Sequence, residues 1–281
     1  MKNLTKPKIN KKRIWELDFL RGICLILMVF DHFMINTYSL FAPFWAETLG
    51  TNSAVKFYEF TRSYLNGNLS SIRNTIRPVV LWFFFSLCGI SSSFSRNNFK
   101  RGMQVALVGL LLSVGSYFVD GYFIHFGVLQ MLAFCILAWA FIKKICPDVY
   151  GGAALAVCLS VMLYCFYRAL PYAPIQNPDT WYWCIITDNV THYGYTFSPG
   201  DYFAILPNAC MFLAGAGLSP ILYPKKKTLL PFMEGKWSSP IEWIGRNTLI
   251  IFLVHIPLIT LIQALITAIM TGGFEFLKII F

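Results

Sequence analysis

The chain has 281 residues, a formal net charge of +10, 57% hydrophobic residues and only 13% charged ones. Soluble domains carry about 25% charged residues, so a soluble globular fold is excluded. The basic residues stand in short clusters between apolar runs, as the positive-inside rule produces, and this excludes nucleic acid as the reason for the charge.

In chain order, residues 1–14 read as a basic cytoplasmic tail holding Lys2, Lys6, Lys8, Lys11, Lys12 and Arg13. Residues 15–281 read as one all-α domain, a polytopic membrane helix bundle of about seven transmembrane helices with its N-terminus in the cytoplasm. The first span, about 15–38, is too long and too charged for a signal peptide, and no small-residue cleavage site follows Tyr38. Within 39–77, FAPFWAETLG is loop-like, whereas AVKFYEFTRSYL has the pattern of an amphipathic helix on the outer surface; a lid is the alternative.

Span 2 is expected at about 77–94, with Pro78 in its first turn and a hydroxyl-rich end, GISSSFS, suited to close helix packing. Arg96, Lys100 and Arg101 follow on the cytoplasmic side. Spans at about 103–119, 122–142 and 150–168 come next, the first two joined by an outer turn at Asp120–Gly121. The outer loop 171–199 is rich in Pro, Trp and Tyr and holds Asp179, Asp188 and His192. Its aromatics suit the headgroup level or a sugar ring. The sixth span, about 201–222, is interrupted by Pro207, and the seventh, about 246–270, leaves the C-terminus outside. Lys56, Arg62, Arg73 and Arg77 lie on the outer side and weaken the charge asymmetry without reversing it. The eight cysteines form no CxxC pair and lie mostly in apolar runs, so neither a zinc site nor a disulfide scaffold is expected, and no metal.

The first span carries Glu16, Asp18, Arg21, Asp31 and His32. An ionisable group at the centre of a span costs roughly 2.5–3.5 kcal/mol on insertion scales, so each needs a reason. Arg21 and His32 fall within about 20° of each other on a helix, with Asp18, Leu25 and Met28 on the same side. Glu16 and Asp18 can cap the helix, and Arg21 can snorkel to the headgroups. His32 has apolar residues still to come before the interface, and the stripe reads as one wall of a site. His255 lies mid-span without a strong ionisable neighbour, as a second site residue or a packing histidine. Gln130 and Asn247 suit inter-helix hydrogen bonds, and Asp201 either a helix N-terminus or sugar hydroxyls at an outer mouth. His125 and His192 suit interface or loop positions.

The segment LDFLRGICLILMVFDH resembles the first span of the heparan-α-glucosaminide N-acetyltransferase catalytic-domain family, with Asp18-x-x-Arg21-Gly22 and ILMVF as the matching parts. Gly127-Val128-Leu129-Gln130 is similar to its GVLQ segment, Asn247 with His255 to its closing N-x7-H, and LWFFFSLCGISSSFS to its second span. Arg21-x10-His32 also resembles a wider group of membrane acyltransferases acting on bacterial polysaccharides.

The resemblance implies transfer of an acyl group, acetyl in that family, from cytoplasmic acetyl-CoA to a sugar or glycan beyond the membrane. Arg21, Arg96, Lys100 and Arg101 would then meet the CoA phosphates. His32 would be the general base, with His255 as second candidate or oxyanion partner, and Asp31 would orient the imidazole. Asp18, Gln130, Asp201 and Asn247 would contact the acceptor side. In the heparan branch the proposed catalytic histidine follows span 1. This chain has no histidine between His32 and His125, so that role does not transfer. A cell-envelope glycan or lipid-linked sugar fits better than heparan. The expected setting is the plasma membrane, the partners the lipid bilayer and a carbohydrate acceptor, with a homo-oligomer left open. A proton-coupled transporter lined by Arg21, His32 and His255 is the alternative.

Overall fold

A computed structural model describes residues 13–118, 124, 126–170, 173–175, 183–187, 190–192 and 201–273. The basic tail before Arg13, the turn at Asp120–Gly121, His125, Asp179, Asp188 and the residues after Gly273 lie outside them.

The molecule is an all-α membrane helix bundle. Helix α1 (Trp15–Asn36) runs through a π-helical turn, Thr37–Phe41, into α2 (Ala42–Leu49) and then α3 (Asn52–Asn66). The stretch expected to be loop-like is therefore helical: Pro43 in its first turn fits a helix start, and left-handed Gly50 ends it. Next come α4 (Ser70–Ser93), α5 (Asn98–Tyr117), α6 (Val128–Ile145) and α7 (Val149–Ala169). After α7 there is a short parallel ladder of β1 (Ala173–Ile175) with β2 (Val190–His192), and the turn of helix α8 (Trp183–Ile186) between them. Then follow α9 (Ile205–Leu222), the short α10 (Ser239–Arg246) and α11 (Thr248–Thr271).

Five of these helices, α4, α6, α7, α9 and α11, are long and apolar enough to cross a membrane. Helices α1 and α5, of 22 and 20 residues, have the length of a span at about 1.5 Å per residue.

Two boundaries differ from the sequence reading in ways that matter. Helix α4 begins at Ser70, so Arg73 falls in its first turn and Pro78 lies inside it. Helix α6 begins at Val128, so Gln130 belongs to its first turn rather than mid-span.

Helices α4, α6, α7 and α9 pack around Phe85, Met131, Trp139 and Phe212. Lipid offers apolar helices no hydrophobic reason to associate, so close packing and polar bonds must hold them. The hydroxyl of Ser86 donates to the Met211 carbonyl at 3.1 Å, and that of Ser160 to the Cys210 carbonyl at 2.7 Å. Helix α11 is tied to the first helix pair by Asn36 to Gln263 at 2.6 Å and Trp45 to Thr267 at 2.7 Å.

Candidate functional site

Helix α1 delivers ionisable groups to two places. At its N-terminal end, α10 lies across it so closely that a Cβ on Gly22 would strike the Ile241 carbonyl, and one on Gly245 the Asp18 carbonyl. This approach lets Arg246 of α10 reach Asp18 at 3.3 Å, while Arg21 binds Asp18 from the same helix and donates to the Leu17 carbonyl. Glu242 accepts from Ser238 at 2.6 Å and from Arg246. Glu16 accepts from the Thr228 hydroxyl and the Leu229 N–H, both at 2.6 Å. Asp18-x-x-Arg21-Gly22 is thus the docking seam for α10, and neither Asp18 nor Arg21 borders the internal cavity described next.

The second place is beside a cavity of about 400 Å³ walled by α1, α3 and α4. Of the stripe read from sequence, Leu25, Met28 and His32 face it, joined by Asp31. His32 Nδ1 stands 2.7 Å from His255 Nε2, and His255 Nδ1 stands 2.7 Å from the Phe252 carbonyl. The rings are 24° from parallel with centroids 4.9 Å apart, which for a 2.7 Å nitrogen separation means they meet edge to edge.

This geometry fixes the tautomers. The Phe252 carbonyl can only accept, so His255 Nδ1 carries hydrogen and its Nε2, in the neutral ring, accepts. His32 Nδ1 must therefore donate, which leaves the lone pair on His32 Nε2. His255 is 4% exposed and sits behind His32, which borders the cavity.

Asp31 does not bond to either imidazole. It accepts two bonds from Arg73, at 2.6 and 3.0 Å, and a third from the Tyr64 hydroxyl at 3.0 Å. Arg77, one turn beyond Arg73, stands 3.7 Å from Asp31. The role expected of Asp31 therefore changes: it locks α3 and α4 onto α1 instead of orienting His32. The amphipathic helix α3 is also part of the cavity wall through Phe60 and Tyr64.

On the far wall, Asp201 accepts from the Val128 N–H at 3.1 Å. A Cβ on Gly127 would crowd that carboxylate, so a larger residue there would push the Asp201 side chain off its place. Burial pushes the Asp201 carboxyl up to about 6, against the pull of the Val128 N–H and Arg77. Gln130 accepts from the Gly127 N–H at 3.1 Å and donates to the Gly109 carbonyl and Ser113 hydroxyl of α5 at 2.9 and 2.7 Å. The Gly127–Gln130 segment is thus a helix cap and a clamp on α5. Asn247 lies in the bend between α10 and α11, bonded to the Trp243 carbonyl at 2.8 Å, away from the cavity.

Arg96 and Lys100 are exposed at the α4–α5 turn and Arg101 is half-buried next to it; none borders the cavity. Lys143 joins this end, donating to the Ser93 carbonyl at 2.7 Å. Among the described residues no three His, Cys, Asp or Glu side chains gather as a metal site would need.

Arg73, Arg77 and Tyr64 are the site residues that the sequence reading left out. Their signal was an arginine pair one turn apart, on the outer side where Asp31 of span 1 also falls.

The described residues thus form a membrane helix bundle that holds a hydrogen-bonded imidazole pair against a cavity. A family model described as heparan-alpha-glucosaminide N-acetyltransferase, catalytic, matches residues 13–257, and the chain belongs to that family of membrane acetyltransferases. No curated protein and no solved structure matches it.

Proposed function

We propose that this protein transfers an acetyl group from cytoplasmic acetyl-CoA to an extracytoplasmic sugar or glycan, with His32 as general base. The observation that carries the reading is the unprotonated His32 Nε2 at the cavity, fixed by the chain His32–His255–Phe252 carbonyl.

The thioester supplies an activated carbonyl. As the acceptor hydroxyl or amine attacks it, His32 Nε2 takes the departing proton, and the C–S bond breaks with the electron pair going to sulfur. The imidazolium keeps its Nδ1–H bond to His255, which spreads the positive charge over two rings. The proton then passes to the thiolate and His32 returns to its starting tautomer. His255 is buried, as an orienting partner should be. Arg96, Lys100, Arg101 and Lys143 gather at the other end of α4, where the CoA phosphates would dock if that end is cytoplasmic. Arg21, committed to Asp18, would act there only through its field.

The test is acetyl transfer from labelled acetyl-CoA by the purified protein, with cell-envelope extract as acceptor. Wild type transfers label, and His32→Ala, purified at the same yield and elution volume, does not. Full activity in His32→Ala would overturn the site. Solute uptake by proteoliposomes without acetyl chemistry would replace the reading with a transporter.

A further inference from the structure

The cavity has a side window. Leu27 and Phe30 of α1, Phe60 of α3, and Ile72 and Ile76 of α4 all line it, yet they are 43–57% exposed. A side chain that lines a cavity and also faces outward is part of a rim. In a membrane-spanning bundle an apolar rim of this kind faces acyl chains rather than water. A polysaccharide or free sugar would have to cross lipid to use it, whereas a chain-bearing amphiphile would not.

The rim is apolar except for Arg77. Arg73 is consumed by Asp31, which it binds through two nitrogens, and Tyr64 takes a further place on the same carboxylate. Arg77 is exposed, makes no hydrogen bond among the described residues, and stands 3.7 Å from Asp31, too far for one. Its fork of N–H donors is therefore available at the window, one turn along α4 from the Asp31–Arg73 pair and next to the His32 side of α1. A guanidinium placed this way fits a phosphate, which it can hold through two parallel bonds.

We infer that the acceptor is a phosphate-linked lipid carrying a sugar, which slides in between α1 and α4 with its chain against Leu27, Phe30, Ile72 and Ile76, its phosphate on Arg77 and its sugar toward His32 and Asp201. The word acceptor rests on the acyl-transfer reading; the lipid site does not.

Two measurements separate the claims. In the first, native mass spectrometry of the full chain compares decaprenyl phosphate with decaprenol and with phosphatidylglycerol. The phosphate lipid should be retained about tenfold better than either, as one charge-assisted bond pair predicts. Arg77→Gln should abolish the preference, Arg77→Lys should restore part of it, and Ile72→Trp, which fills the window from an exposed position, should lower retention of both prenyl lipids. Equal retention of decaprenol and its phosphate, or indifference to Arg77→Gln and Ile72→Trp, would overturn the site. Equal retention of phosphatidylglycerol would reduce it to an ordinary lipid contact and overturn the acceptor claim.

In the second, acetyl label from acetyl-CoA is followed in native membranes. Label in the organic phase, with Arg77→Gln raising KM for the lipid and leaving KM for acetyl-CoA unchanged, supports the inference. Label only in water-soluble sugar overturns it while the transfer reading stands. Absence of transfer to any acceptor sinks the transfer reading, and the retention series alone then decides the lipid site.

Discussion

Two of the acids that helix α1 buries, Asp18 and Asp31, stand about 20 Å apart along its axis. Both are paired with arginines from another helix, Asp18 with Arg246 and Asp31 with Arg73. The surroundings differ. Around Asp18 the backbones of α1 and α10 touch through Gly22 and Gly245, and Asp18 does not border the cavity. Around Asp31 the pair forms one side of an open space that also receives His32, Asp201 and an Arg77 held to Asp31 only by a 3.7 Å ion pair. A buried charge cluster is therefore not in itself a site. What marks the second one is room next to a group with an unused lone pair.

The largest effects should divide along this line. His32→Ala should lower turnover by about 10²–10⁴-fold, the usual contribution of a general base, with little change in thermal stability. Asp18→Asn should do the reverse. It leaves the mostly buried Arg21 and the half-exposed Arg246 facing a neutral partner, at a cost of about 1–3 kcal/mol, while the folded fraction keeps its kcat and KM. Paired turnover and melting measurements check both. If Asp18→Asn lowered kcat in fully folded protein, the inner seam would belong to the mechanism and the contrast would fail.

How much of this was legible in sequence follows from the same physics. The spans were readable because apolar runs of bilayer length have few other uses, and most helix limits fall within a few residues of the reading. The two mid-span imidazoles stood out because ionisable groups there are rare. Their contact was not readable, since nothing local brings positions 32 and 255 together. Arg73 escaped because a polar run before Pro78 looks like a loop until packing makes it the first turns of α4. Helix α10 has only eight residues, too few to show a period, and its glycine matters only once α1 is beside it. Asp18 and Arg21 shared a stripe with His32, yet a stripe says which side of a helix a residue faces and not what faces it.

The next effect isolates the link between the imidazoles. His255→Phe keeps the ring volume and removes the acceptor for His32 Nδ1–H. The tautomer is then no longer fixed, and loss of one hydrogen bond of about 1.4 kcal/mol corresponds to roughly tenfold in kcat. The pH–rate profile should shift as well, because the His32 cation loses its partner. A tenfold loss with an unchanged profile would mean that His255 only packs.

The smallest effect tests the far wall. Burial raises the Asp201 carboxyl from its ordinary 3.8 to about 6, so between these values the folded protein holds a proton that the unfolded chain has released. The raised value makes this group's contribution greatest below about pH 4 and removes it as pH climbs through about 6. Asp201→Asn keeps an oxygen for the Val128 N–H but cannot titrate. The mutant should therefore lose less melting temperature than wild type between about pH 4 and 6, with the two slopes matching above that window. Identical slopes would mean that Asp201 is solvated in the folded protein, and the wall opposite His32 would then be wet rather than closed.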